Sequence, residues 1–216
     1  MTPEEFKKAI VTIPKERLAE LPAASYKGNI VTIDSARNFE EALNALREAP
    51  IIGFDTETRP SFRKGQHFDV ALIQLATPDS CYLFRTNIIG FPQQLKEILE
   101  DPDKLKVGLS IHDDFHNLRK ATEIEPQCFI DLQAYVKDFK IADNSLSRLY
   151  GILFGERISK GQRLSNWEAA ELTQPQKEYA ALDAAACIKI YTFLSQGKFK
   201  PEESPYLTLP PEPETL

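Results

Sequence analysis

Hydrophobic and polar residues follow one another in blocks that are typical of short strands and amphipathic helices. Brief apolar runs predict strands, and apolar residues at every third or fourth position predict helices. The predicted strands cover about residues 30–33, 51–58, 70–77, 81–86, 104–111 and 128–132. The predicted helices of the same region cover about residues 35–48, 91–100, 113–120, 132–139, 145–154 and 174–195. This order predicts an α/β fold, a central mixed β-sheet of about five or six strands flanked by helices on both sides.

The two ends of the chain differ from its centre. Thr2, Pro3 and Glu5 form a helix-start pattern, and a second short helix is predicted over residues 14–21. We therefore predict an N-terminal helical arm over residues 1–28 and a single α/β domain over residues 29–198. Five prolines and several acids follow residue 199. They predict a proline-rich, weakly ordered tail over residues 199–216.

Composition narrows the class of protein. Of 216 residues, 42% are hydrophobic and 27% are charged, as in ordinary folded domains. No apolar run approaches the roughly 18 residues that span a bilayer, and the N-terminus lacks the apolar core of a signal peptide. We therefore expect a cytoplasmic protein that does not bind membranes. The net charge of −6 argues against a broad basic surface for nucleic acid, although a protein that holds only a strand end needs no such surface.

The stretch Ile51–Thr58 combines a buried strand with two acids at its end. Asp55 and Glu57 are two positions apart, so on a strand they project from the same face. The residues before them are apolar on both faces, which is typical of a central strand. Two like charges side by side repel each other, and a cation relieves that repulsion. Taken alone, such a pair is more often two solvated acids at a strand end.

Two further segments carry acids where elements meet. Asp113 and Asp114 lie where a strand gives way to a helix. Asp114 leans toward the apolar face of that helix, whereas Asp113 falls on the outer side, where it can cap the helix. In the last long helix, Tyr179 and Asp183 are one turn apart on one face. An Asp buried there needs a partner, and a shared cation is one solution; a half-exposed Asp beside a core tyrosine is the other.

In order and spacing, three segments resemble the motifs of the DEDD 3′–5′ exonucleases: Phe54–Glu57, Val107–Asp114 and Tyr179-x-x-x-Asp183. The similarity runs from about residue 30 to residue 194. Val70–Leu75 and Ser165–Trp167 further resemble the exonuclease domain of the Werner syndrome protein, and ribonuclease D is a more distant relative.

The position of the tyrosine indicates the subtype. The histidine subtype carries its histidine five residues before the last Asp, where this chain has Glu178. Tyr179, four residues before Asp183, matches the tyrosine subtype.

The resemblance implies a ribonuclease H-like fold and two divalent cations, Mg²⁺ or Mn²⁺. It implies that Asp55, Glu57, Asp114 and Asp183 are the metal ligands, with Asp114 rather than Asp113 as the third acid. Tyr179 completes the predicted catalytic set by orienting the attacking water. Two hard cations roughly 4 Å apart bind the attacking and leaving oxygens of a phosphodiester displacement.

The predicted function is therefore hydrolysis from the 3′ end of nucleic acid, with release of nucleoside 5′-monophosphates. DNA is favoured as the substrate and RNA is possible. The alternative is a non-catalytic nucleic-acid-binding or scaffold module on the same fold, which would lack at least one ligand.

Contacts to the substrate are predicted from charge and position. Nucleic acid with a free 3′ end is the expected partner, and single strands are held by cationic and aromatic side chains. The candidate contacts are Thr56, Arg63, Arg163 and Trp167. For Trp167, the only tryptophan, we favour a structural anchor over a stacking platform for a base.

Overall fold

Six strands form a central mixed sheet in the computed structural model, which describes residues 1–63 and 65–210. The strands of the chain are β1 (Ile10–Val11), β2 (Asn29–Ile33), β3 (Ile52–Thr58), β4 (Val70–Ala76), β5 (Ser80–Phe84), β6 (Lys106–Gly108), β7 (Phe129–Asp131) and β8 (Leu207–Thr208). The central sheet has the order β2-β5-β4-β3-β6-β7. The predicted architecture is therefore confirmed.

Strand β3, which carries the first two acids, lies inside the sheet. It pairs antiparallel with β4 and parallel with β6. Strands β4 and β5 form the predicted antiparallel hairpin. In the β3–β4 ladder, Asp55 lies opposite Gln74 and Glu57 lies opposite Leu72. The acids thus leave the sheet from a strand that is held on both edges.

Helices cover both faces of the sheet. They are α1 (Pro3–Lys8), α2 (Lys15–Glu20), α3 (Phe39–Glu48), α4 (Thr86–Ile89), α5 (Gln93–Glu100), α6 (Ile111–Ala121), α7 (Leu132–Tyr135), α8 (Leu146–Phe154) and α9 (Gln174–Ser195). Short 3₁₀ helices cover Val136–Phe139 and Pro201–Glu203. Helices α3, α5 and α6 bury their apolar residues against one face, together with Ile52 and Phe54 of β3. Helix α9 packs on the opposite face, toward which Asp55 and Glu57 project.

Helix α9 approaches β3 closely because both elements present small residues. A Cβ atom added at Gly53 would lie 2.1 Å from the carbonyl oxygen of Ala184, so only glycine allows this spacing. Thr173 and Gln176 form the capping box that begins the helix, as predicted. A locally encoded helix start and a glycine in the facing strand therefore bring Asp183 down onto β3.

The late start of α3 and the early end of β6 differ from the prediction because two residues adopt left-handed backbone conformations. Helix α3 begins at Phe39, about four residues late, after Asn38 with φ of 61°. Strand β6 spans only Lys106–Gly108, since Ser110, with φ of 59°, turns the chain into α6. Such turns by non-glycine residues leave no clear signal in the hydrophobic pattern.

The two ends of the chain meet each other. Strand β1 pairs antiparallel with β8, and Ile10 lies opposite Thr208. Tyr206 and Leu207 pack against the same apolar cluster as the buried Val11. The prediction of a weakly ordered tail is wrong for residues 199–210, because pairing with a strand almost two hundred residues away orders them. The remainder of the predicted tail, residues 211–216, lies outside the described residues. No helix in the described part of the chain is long and apolar enough to cross a membrane.

Candidate active site

Three carboxylates converge where strand β3 passes beneath helix α9. Asp55 and Glu57 project from one face of β3, and Asp183 belongs to α9, one turn after Tyr179. One oxygen from each of the three carboxylates lies within 4.8 Å of the others. The structure therefore brings together three of the four acids that we predicted as metal ligands.

Asp114 reaches the same site from the first turn of α6. Its carboxylate accepts a hydrogen bond from the hydroxyl of Thr56, which lies between Asp55 and Glu57 on β3. The negative charge of Asp114 raises the pKa of both of those acids. Thr56 thus holds the fourth acid in place, and the substrate contact that we predicted for it stays a prediction.

The neighbouring Asp113 points away from the site. Its side chain is 90% exposed and lies 3.6 Å from His112. The capping role that we predicted for it belongs to Asp131 of β7, whose carboxylate accepts the N–H groups of Ser110 at 2.9 Å and Ile111 at 3.3 Å. Asp131 thereby sets the start of α6, and with it the direction of Asp114.

Burial raises the pKa of every acid in the cluster, and the charges of the neighbouring acids raise the pKa of Asp55 and Glu57 further. Burial, and then the charges of Asp183, Asp114 and Glu57, raise the pKa of Asp55 well above its ordinary value. Burial, and then the charges of Asp183 and Asp114, raise the pKa of Glu57 to about 9. Burial raises the pKa of Asp183 to about 7 and that of Asp114 to about 6. Without a cation, the cluster therefore holds protons at neutral pH.

The donor set of the cluster fits a hard divalent cation. Within residues 1–63 and 65–210, no lysine or arginine forms an ion pair with Glu57 or Asp183. The buried Oδ1 atom of Asp183 accepts no hydrogen bond from the residues described. Carboxylate oxygens without other partners are the ligands that hard divalent cations prefer.

Tyr179 stands beside the cluster as a protonated phenol. Burial, followed by the charges of Asp183 and Glu57, raises its pKa above the ordinary value. The hydroxyl also interacts with the Asp183 carboxylate, which lowers the pKa of that acid. In the cation-free site the phenol therefore keeps its proton and can donate a hydrogen bond.

Trp167 supports Tyr179 from the core. Its side chain is fully buried. The centres of the Trp167 and Tyr179 rings are 6.2 Å apart, and the angle between the ring planes is 30°. A base has no exposed indole face on which to stack, so a substrate contact at Trp167 is wrong. The structural anchor that we favoured is what the structure shows.

Arg85 holds the segment that carries Trp167. This arginine follows β5, is buried, and donates to the carbonyl oxygens of Ala169 and Ala170. A second link to the same segment runs from the side chain of Gln176 to the carbonyl oxygen of Asn166, at 3.4 Å. Sequence reasoning missed Arg85, because an arginine at the end of a strand is usually solvated and nothing local indicates its distant partners.

A family profile described as 3′-5′ exonuclease matches residues 30–197, most of the chain. The chain belongs to the 3′-5′ exonuclease family. This confirms the family that the three motifs predicted.

Two curated relatives of this family illustrate the match. The chain is 34% identical over 181 residues to the bifunctional 3′-5′ exonuclease/ATP-dependent helicase WRN of Mus musculus, covering 79% of this chain and 13% of that protein. It is 28% identical over 174 residues to ribonuclease D of Gluconacetobacter diazotrophicus, covering 76% of this chain and 42% of that protein. The chain thus spans only part of each relative.

Solved structures of 3′-5′ exonucleases share the fold. The EXO domain of Aedes aegypti Nibbler superposes with a TM-score of 0.72 at 25% identity, over 84% of this chain and 97% of that chain. RNase D of Escherichia coli superposes with a TM-score of 0.68 at 24% identity, over 78% of this chain and 44% of that one. The ribonuclease H-like fold predicted from the resemblance is therefore confirmed.

In this family member, Arg163 and Arg63 occupy different surroundings. Burial and the neighbouring acids raise the pKa of Glu57, and the positive charge of Arg163 offsets part of that rise, so its guanidinium lies within electrostatic reach of the cluster. Arg63 instead lines a surface cavity of about 470 Å³ beyond the end of β3. The neighbouring Arg59 is engaged, because it pairs with Glu168 at 3.2 Å and lies 4.8 Å from the ring centre of Phe68.

Two exposed apolar residues of the same cavity were missed from the sequence. Phe62 is 80% exposed and Leu164 is 67% exposed, and both line the cavity together with Arg63. They belong to the same two loops as Arg63 and Arg163. In the sequence, the feature that could have indicated them is an isolated apolar residue inside an otherwise polar loop.

Proposed function

We propose that this protein is a two-metal-dependent 3′–5′ exonuclease that removes nucleotides from the 3′ end of nucleic acid and releases nucleoside 5′-monophosphates. One observation carries the proposal: the carboxylates of Asp55, Glu57 and Asp183 lie within 4.8 Å of one another, with Asp114 held beside them through Thr56. The complete acid set weighs against a non-catalytic module.

The four acids would hold two divalent cations, Mg²⁺ or Mn²⁺. Bound there, such ions stabilise the negative charge that develops on the attacking and leaving oxygens of the phosphodiester. The four ligands lie on three packed elements, namely the central strand β3, α6 and α9. Their separation is therefore set by the core rather than by flexible loops.

The remaining side chains orient the reactants. The Tyr179 hydroxyl would orient the attacking water by a hydrogen bond. A bond forms between the water oxygen and phosphorus while the bond from phosphorus to the 3′-oxygen of the preceding nucleotide breaks. The water gives a proton to solvent, the departing 3′-oxygen takes one from solvent, and the released nucleotide keeps its 5′-phosphate. Arg163, whose charge is felt at Glu57, attracts the phosphate group to the cluster.

The cavity lined by Arg63 suits the end of a single strand. Phe62 and Leu164 present apolar surface for a base, and Arg63 presents a cation for a phosphate. We propose DNA as the preferred substrate because the motifs resemble the Werner exonuclease domain more closely than they resemble ribonuclease D. RNA is the second candidate, since ribonuclease D is also a relative.

The test is digestion of a 5′-labelled single-stranded oligonucleotide with Mg²⁺ or Mn²⁺. A ladder that shortens stepwise from the 3′ end is expected, and chelation with EDTA should abolish it. The adjacent acids offer a matched pair of variants: Asp114→Asn should abolish the ladder and Asp113→Asn should preserve it. Parallel digestion of DNA and RNA of the same sequence tests the preference. Absence of degradation with both cations contradicts the proposal.

A further inference from the structure

Gln74 is a polar side chain in the middle of an apolar layer. It lies at the centre of β4, in register with Asp55 on β3 and with Leu83 on β5. Directly paired residues of antiparallel strands project from the same face of a sheet. Gln74 therefore shares the α9 face with Asp55, and it is completely buried there.

The amide of Gln74 has no hydrogen-bond partner among residues 1–63 and 65–210. Among these residues, the buried side-chain atoms without a hydrogen-bond partner are Nε2 and Oε1 of Gln74, Nε1 of Trp167 and Oδ1 of Asp183. An unpaired buried amide is destabilising, and a methionine or leucine would fill the same space without that cost. The residues on either side of Gln74 on this face, Leu72 and Ala76, are apolar. A glutamine at this position thus needs a reason other than packing.

Asp55 supplies that reason. Paired Cβ atoms on antiparallel strands are about 4.5–5.5 Å apart, a distance that a glutamine amide spans. We propose that Gln74 is a positioning residue of the acid cluster, whose amide nitrogen donates a hydrogen bond to the Asp55 carboxylate when the site holds its cations. The inference rests on the proposed function.

A neutral amide suits this task. It orients a ligand carboxylate as other groups behind metal ligands do. A lysine at the same place would neutralise Asp55 and repel the cation.

The experiment is calorimetric titration of Mn²⁺ into the protein without nucleic acid, combined with the melting temperature of the cation-free protein. Gln74→Met removes the amide and keeps the volume. Leu83→Met is the matched control, since it changes the directly paired residue of the same layer one strand further from Asp55. We expect Mn²⁺ affinity to fall about 10- to 100-fold in Gln74→Met, with an unchanged or raised melting temperature, and to stay unchanged in Leu83→Met.

Wild-type Mn²⁺ affinity in Gln74→Met would overturn the inference and leave the proposed function standing. An equal loss in Leu83→Met would also overturn it, because repacking of the layer would then explain the effect. If the wild-type protein binds no Mn²⁺, the proposed function and the inference fail together. Gln74→Leu, which removes the same amide, replaces Gln74→Met if that variant does not fold.

Discussion

Two buried aspartates of this protein, Asp143 and Asp183, have similar exposure and opposite surroundings. Asp143 is 9% exposed and Asp183 is 7% exposed. The carboxylate of Asp143 accepts from Arg148 at 2.6 Å, from the backbone N–H of Ile13 at 2.8 Å and from the hydroxyl of Thr12 at 3.0 Å. It fastens the N-terminal arm to the segment before α8. Asp183 instead faces two other acids.

The difference shows which acid serves the fold and which serves the site. A buried carboxylate is tolerated when it is paired and fully hydrogen-bonded, and it is costly otherwise. The surroundings of Asp143 satisfy it completely. The surroundings of Asp183 instead leave repulsion between its carboxylate and those of Asp55 and Glu57. A bound cation relieves this repulsion, and the relief favours cation binding.

The largest effect is expected for Asp183→Asn. Removing a ligand of the cluster should lower the rate of 3′-end hydrolysis by roughly three orders of magnitude or more. The cation-free protein should melt at an unchanged or higher temperature, because one repelling charge is gone. Digestion rates and thermal melting measure both. Activity within tenfold of wild type would remove Asp183 from the site.

Asp143→Asn should lower the stability of the fold and leave the hydrolysis rate unchanged, the opposite of Asp183→Asn. The loss of a partner for Arg148, which is itself partly exposed, should lower the free energy of unfolding by about 2–3 kcal/mol. The hydrolysis rate of the folded protein should not change, since Asp143 does not belong to the acid cluster. Denaturant unfolding and single-turnover rates provide the measurement. A large loss of activity without a loss of stability would break the distinction between the two acids.

Tyr179→Phe should have a smaller effect on activity. It removes one hydroxyl and leaves the ring against Trp167, so the rate should fall about tenfold, the equivalent of one hydrogen bond. Mn²⁺ affinity should remain close to that of the wild type. The titration distinguishes a water-orienting hydroxyl from a metal ligand, since a ligand would lose affinity as well.

The stabilisation of the protein by Mg²⁺ should increase with pH. The pKa values of Glu57, Asp183 and Asp114 in the folded protein, about 9, 7 and 6, lie above their unfolded values. Protonation therefore favours the cation-free fold at low pH, and this contribution is lost as pH rises from the ordinary pKa values near 4 through the folded values of about 6–9. Mg²⁺ must displace the same protons, so it binds more tightly at high pH.

Melting curves with and without Mg²⁺ at pH 6 and pH 9 measure this dependence. The rise in melting temperature on adding Mg²⁺ should be larger at pH 9, by a few degrees. Asp183→Asn is the control and should show little rise at either pH. A rise in the wild type that is equal at both pH values would indicate that the cluster carries no protons.

Arg85→Lys should have the smallest effect, on the support of the site rather than on its ligands. A lysine does not reproduce the two-carbonyl contact of the guanidinium. Hydrolysis should slow several-fold, and the fluorescence of Trp167, the only tryptophan, should shift as its segment loosens. Unchanged fluorescence together with unchanged activity would mean that Arg85 does not hold this segment.

Locally encoded features could be predicted from the sequence. The capping box of Thr173 and Gln176 indicated the start of α9, and the spacing of Asp55 and Glu57 indicated a shared face of a central strand. The apolar side of α6 indicated Asp114 rather than Asp113. Each of these features depends on residues within a few positions of one another.

Contacts between distant residues could not be predicted in the same way. The hydrogen bond of Thr56 to Asp114, the capping of α6 by Asp131 and the contact of Arg85 with a segment over eighty residues away depend on the packed fold. The pairing of β1 with β8 is of the same kind. Local composition indicated a loose tail, and tertiary pairing overrode it.

The most direct test of the central claim is the stoichiometry of Mn²⁺ binding in wild type, Asp183→Asn and Asp143→Asn. The cluster of four acids should bind two Mn²⁺ ions in the wild type and in Asp143→Asn, and at least one ion should be lost in Asp183→Asn. Binding that is absent from the wild type, or that survives in Asp183→Asn and fails in folded Asp143→Asn, would contradict the assignment of this cluster as the metal site.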